Sequence, residues 1–118
     1  MSRSDTPEPL HGDVQHLFNS SGEWLGFRQG RYVFDTNRVW IAWLPWEEPE
    51  VVSRHGDYLG TICHDHRLYH FSNRRERGFV EAPPHPDEPA YPGYPGSVGY
   101  EALPPMARDV FFAYDETG

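Results

Sequence analysis

The chain repeats itself. GEWLG at residues 22–26 returns as GDYLG at 56–60, and setting one under the other brings further segments into line. HLFNSSGEWLGF runs from 16 to 27, YVFDTNRVWIAW from 32 to 43 and EVVSRHGDYLGT from 50 to 61. Each has two apolar residues, a polar tetrad, then an aromatic, an aliphatic and a small residue. The aromatics are Trp24, Trp40 and Tyr58; the aliphatics are Leu25, Ile41 and Leu59; the small residues are Gly26, Ala42 and Gly60. A degraded fourth copy reads RLYHFSNRRERGFV at 67–80, with a polar turn around Ser72 to Arg75 and Gly78 at the small position. Self-similarity at a fixed short period restricts the fold to architectures built from one supersecondary unit used several times.

Each unit reads as a β-hairpin. β-branched and aromatic residues supply the strands, and clusters of Asn, Ser, Asp and Gly supply the turns. The tetrads NSSG, DTNR and SRHG turn the chain within a unit. RQGR links the first two units, PWEEPE makes a longer link in the middle, and CHDH joins the third to the fourth. No window from 14 to 80 holds an amphipathic 3.6-residue period for three turns, so the expected class is all-β. A lone hairpin is marginal in water, so four consecutive hairpins must share a core. Arranged round an axis, they shield their strand edges and bury one ring from each unit. Gly26, Ala42, Gly60 and Gly78 are then expected near that axis, where a large side chain would block the approach of the strands. The competing reading makes each glycine the mark of an ordinary β-bulge. Trp24, Trp40 and Tyr58 are expected to be mostly buried.

The run LFNSSGEWLGFRQGRYVF, with the return of GDYLG, resembles the bacterial four-fold beta flower proteins. The resemblance covers residues 14–80 and extends to LPPMARDV near the C-terminus. It implies repeated hairpins in a pseudo-four-fold arrangement. It implies no activity, and no catalytic residues carry over.

The rest of the chain divides readily. Residues 1–13 are expected to be a disordered tail, 14–80 the hairpin domain, and 81–118 a proline-rich strap with a terminal strand at 107–114. Eight of the twelve prolines fall between 81 and 105. That density excludes helix and internal strand and leaves extended, polyproline-like chain. Such a segment either lies over the protein's own apolar surface or docks into a partner's groove. Tyr91, Tyr94 and Tyr100 favour the strap, because a free linker has little use for rings.

Composition excludes several functions. The net charge of −8 disfavours a general nucleic-acid or anionic-membrane binder. Cys63 is the only cysteine, so no intramolecular disulfide framework exists. The opening MSRSDTPEPLHG lacks the apolar stretch of a secretory signal, and VWIAWLPW is too short to cross a membrane as a helix. These features point to a soluble cytoplasmic protein.

Two clusters could carry chemistry. CHDHRLYH places His64, His66 and His70 close together, and imidazole with HxH spacing suits zinc, copper or nickel. A surface turn that happens to contain histidine is the commoner outcome, and the expectation is no resident metal or other cofactor. Arg67, Arg74, Arg75 and Arg77 form a basic patch. From 54 to 78 five Arg face three acids, a local balance of +2 that leaves −10 elsewhere. Arginine forks suit phosphate and carboxylate partners, and equally the acidic C-terminal stretch of this chain. No motif for acid–base or nucleophilic catalysis is present. The leading expectation is a non-catalytic binding or assembly module acting on a protein partner or on itself. A metal-dependent protein using the histidines and a binder of anionic ligands through the arginines are the alternatives.

Overall fold

The computed structural model describes residues 14–46, 48–63, 66–74, 78 and 80–110, and the description below is of these. Eight strands follow in chain order: β1 (Val14–Phe18), β2 (Trp24–Gln29), β3 (Tyr32–Asp35), β4 (Trp40–Trp43), β5 (Glu50–Ser53), β6 (Tyr58–Cys63), β7 (Arg67–Phe71) and β8 (Ala107–Asp109). Each pairs antiparallel with the next. β7 also pairs with β1 at Phe18↔Arg67, and this seam closes a seven-stranded barrel. The seam is parallel because in a meander of seven strands the first and last run the same way.

The first three units form one structure written three times. In each, the first residue of the tetrad holds the turn from both main chain and side chain. Its N–H donates to the carbonyl four residues on: Asn19 to Glu23 (3.1 Å), Asp35 to Val39 (3.0 Å) and Ser53 to Asp57 (2.7 Å). Its side-chain oxygen accepts the N–H of that same residue, at 2.9, 2.9 and 3.1 Å. This is why Asn, Asp and Ser occupy the site: each has an oxygen short enough to bond its own backbone. The fourth tetrad residue takes positive φ in all three, Gly22 at 89°, Arg38 at 68° and Gly56 at 95°.

Beyond the turn, each hairpin carries a bulge. Leu17 pairs with Gly26 and Phe18 with Trp24, so Leu25 is the extra residue. Val33 pairs with Ala42 and Phe34 with Trp40, leaving Ile41. Val51 pairs with Gly60 and Val52 with Tyr58, leaving Leu59. The aromatic–aliphatic–small triplet is thus a bulge signature: aromatic paired, aliphatic extra, small paired. The bulge reading of the small residues explains them locally, without convergence on an axis. A methyl added at Gly26 would run into the Phe34 carbonyl of the next strand, and one at Gly60 would sit 2.7 Å from the Tyr69 carbonyl. Ala42 is fully buried at the equivalent register.

Two apolar clusters separate inside from outside. Leu17, Val33, Ala42, Leu44, Val51, Ile62, Leu68 and Val110 form one cluster, with Leu25, Ile41 and Leu59 packed against it. Its members come from every part of the barrel wall, so it is the interior. Phe27, Phe34 and Trp40 form the second, with Val14, Trp24, Tyr32 and Ala82 against it. Its strands are neighbours, which places it on the outer face of β2–β4. Of the three repeat aromatics only Trp40 is buried; Trp24 and Tyr58 are half-buried, because the outer face has less to cover it.

The fourth unit departs from the pattern. β7 has no antiparallel partner following directly in sequence, and no described residue from 72 to 106 lies in a strand. Its partner is β8, some 35 residues away, in the register Tyr69↔Asp109, His70↔Arg108, Phe71↔Ala107. Ser72, at the start of the fourth tetrad, donates its N–H to Met106 O at 2.9 Å. Gly78 is exposed, with φ of 86° and open space around its Cα, and so does not share the buried position of Gly26, Ala42 and Gly60. The terminal strand expected over 107–114 spans Ala107–Asp109, and residues 111–114 lie outside the described residues.

Candidate functional site

The histidine cluster is split by β7. His66, at positive φ, meets the Gln15 side chain of β1 through Nδ1 at 2.9 Å. His70 meets the Leu59 carbonyl of β6 through Nδ1 at 3.0 Å. β1 and β6 flank β7 on opposite sides, so the two rings are bound to opposite neighbours. His64 lies outside the described residues. Among the described residues no group of three His, Cys, Asp or Glu could hold a metal ion. Cys63 directs its thiol toward Thr61 O at 3.8 Å, and burial, aided by the Glu101 charge, pushes its pKa up. A thiol shifted in that direction is a poorer ligand and nucleophile. His16, not singled out in the sequence, sits against Trp24 near His66, with its pKa lowered by burial and then by that neighbour's charge.

The arginine patch is also divided. Arg67 is buried at the barrel seam, donating from Nη1 to Asn19 O (2.9 Å) and Ser20 O (3.4 Å), and from Nη2 to Gly99 O (2.7 Å). Its Nε faces Glu101 at 3.2 Å. Arg74 bonds Glu50 at 2.6 Å, and its guanidinium lies over the Tyr58 ring, 4.1 Å from the centroid. Both therefore tie parts of the chain together and are not presented to a ligand. Arg75 and Arg77 lie outside the described residues.

The proline-rich segment has two faces. The inner one lies on the aromatic cluster of β2–β4. Pro86 and Pro89 are buried, His85 meets the Trp40 ring edge-on at 5.0 Å, and Tyr91 and Tyr94 approach Trp24 at 6.2 and 5.6 Å. Arg38 reaches across to Pro89 O and Glu88. Farther on, Val98 N–H donates to Gly22 O and Glu101 N–H to Ser20 O, tying the segment to the first tetrad turn. Ser20 in turn donates its N–H and hydroxyl to the Asp109 carboxylate at 2.8 and 2.7 Å.

The outer face is apolar. Among the described residues the exposed large hydrophobics are Val39, Tyr91, Tyr94, Val98, Tyr100, Leu103 and Met106, and six of these seven lie between 91 and 106. Tyr91 and Tyr94 meet Trp24 yet stay more than half exposed, so they belong to both faces. The tyrosines were legible in the sequence as residues a linker would not need. Their division into a seated side and an open side depends on which strands the segment crosses.

Compared with known protein families, curated proteins and solved structures, this chain matches none.

Proposed function

We propose that the chain is a non-catalytic binding module that presents the outer face of residues 91–106 to a protein partner. The observation that carries this reading is the concentration of exposed apolar side chains there, on a segment anchored at several points to a closed barrel. Proteins seldom leave contiguous apolar surface in water without a use for it, and Tyr and Met are enriched where proteins meet. A segment held by a barrel loses less conformational freedom on docking than a free one would. The partner is a protein with an apolar groove and a basic rim. Glu81, Asp87 and Glu88 are exposed in the stretch that precedes the patch, Glu88 already paired with Arg38, and the chain's net charge is −8. That charge also disfavours a second copy as the occupant, since two such chains repel. The resemblance to the four-fold beta flower proteins belongs to the same proposal. Three hairpins with one turn and one bulge design support it, and closure through seven strands departs from it.

The test is site-specific photo-crosslinking in the producing cells. A photoreactive residue at position 100 should give a discrete adduct with a second protein, and one at Asp57 should not. Tyr100→Ser/Leu103→Ser, which disturbs no ring contact of the inner face, should keep its thermal stability and lose the partner. Equal adducts at both positions, or a partner retained by the double variant, would refute the assignment.

A further inference from the structure

The groove beside β8 is where the repeat breaks, and its residues differ in kind from those the repeat prescribes. In units one to three the inward-facing register holds Leu17 opposite Gly26, Val33 opposite Ala42 and Val51 opposite Gly60. The corresponding position in unit four, two residues before the tetrad, is His70, and β8 sets Arg108 opposite it. His70 lies two residues from Leu68 on the same strand, and so on the face that Leu68 directs into the interior cluster. An imidazole and a guanidinium have replaced an aliphatic and a small residue. The His70 ring packs against Tyr58, 5.0 Å between centroids, whereas Arg108 makes no comparable contact among the described residues.

Around the pair lies an open groove of about 490 Å³, lined by Tyr58, Leu59, His70, Arg108, Asp109 and Val110. His70 Nδ1 lies 3.0 Å from the Leu59 carbonyl, which can only accept, so Nδ1 carries the proton and Nε2 is left for the groove. Arg108 is exposed, and among the described residues it is the one arginine with no hydrogen bond, ion pair or ring contact. Arg28, Arg31, Arg38, Arg67 and Arg74 all bond to oxygens, and Arg54 lies over Trp40. Cross-strand partners stand with Cβ atoms about 4.5–5.5 Å apart, close enough for one ligand to reach both. Two cationic groups facing each other at that range repel when both are charged, and an anion between them removes the repulsion.

We propose that this groove binds a small monocarboxylate with an aromatic or aliphatic body. The Arg108 fork takes the carboxylate, joined by His70 Nε2 when the ring is the imidazolium and that nitrogen has a proton to donate, and Leu59 and Val110, beside Tyr58, take the apolar part. Asp109 also lines the groove, with both oxygens accepting from Ser20. Its charge weighs against a dianion, so a carboxylate binds better than inorganic phosphate.

Amide-resolved NMR titration of the full chain tests this, with sodium benzoate and inorganic phosphate in separate series at constant ionic strength. Benzoate should give saturable shifts at Leu59, His70, Arg108 and Val110, and phosphate weaker ones. Arg108→Gln should weaken benzoate at least tenfold while the rest of the spectrum is unchanged. His70→Val/Arg108→Ala rewrites the pair as unit two has it, so it should abolish binding while leaving the protein at least as stable. Absence of saturable shifts at these amides, undiminished binding in either variant, or phosphate binding more tightly than benzoate would overturn the proposal.

Discussion

Arg67→Met should be among the most damaging single substitutions in this protein, because one guanidinium holds both the barrel seam and the returning segment. Its side chain is only 9% exposed. It donates to Asn19 O and Ser20 O at the first turn and to Gly99 O near the end of the proline-rich segment. Methionine keeps most of the volume but removes the donor of Gly99 O and one of the two donors that Asn19 O and Ser20 O each have, in a place water reaches poorly. Taking the two short bonds, at 2.9 and 2.7 Å, as charge-assisted bonds of about 1.5–3 kcal/mol each gives a loss of about 3–6 kcal/mol. The ion pair with Glu101, whose side chain is 34% exposed, adds little, because solvent screens it. Native domains are stable by about 5–15 kcal/mol, so the variant should approach half-unfolding in mild denaturant. The assay is urea unfolding followed by tryptophan fluorescence. Arg108→Gln serves as the control and should stay within about 0.5 kcal/mol of the parent. Arg67→Lys should recover only part of the loss, since an ammonium cannot present a planar fork to acceptors on two segments. A loss below about 1 kcal/mol for Arg67→Met would refute the reasoning and leave the seam to backbone pairing alone.

Gly26→Ala should cost about 1–3 kcal/mol by forcing the β2–β3 backbones apart, whereas Ala42→Gly should cost about 0.5–1 kcal/mol; equal effects in thermal melts would contradict the bulge assignment. Trp40→Ala should cost about 3–5 kcal/mol by chemical denaturation, because the ring is 4% exposed, its indole N–H donates to Ala42 O at 2.7 Å, and His85 seats on it. Tyr69 is raised to about 12, first by burial, then by the Glu101 charge and the hydrogen bond its hydroxyl donates to that carboxylate. The unfolded phenol ionises first, so this contribution is whole below pH 10 and is lost as pH rises toward 12. Tyr69→Phe should therefore flatten the alkaline fall in urea midpoint, and an unchanged slope would count against the assignment.

What the sequence determined by itself is local. A hydrogen bond from a side chain to its own backbone four residues on requires only the right residue at the right offset. Asn19, Asp35 and Ser53 therefore announced their turns, and the alternating apolar residues around them announced three hairpins. The triplets also contained the bulges, since Leu25, Ile41 and Leu59 recur immediately before a small residue. The purpose of the small residue was harder to read, because the atoms that forbid a side chain there, such as the Phe34 and Tyr69 carbonyls, belong to the following strand. Tertiary structure alone decided the closure. Whether β7 meets β1 depends on the summed twist and stagger of seven strands, which no short pattern encodes, and the single pair Phe18↔Arg67 settles it. The sequence marked unit four as degraded, yet its replacement partner lay across the proline-rich stretch, where periodicity has no reach. His70 was legible as a histidine of interest, but its neighbour Arg108 was not, because 38 residues separate two side chains that the β7–β8 register sets face to face.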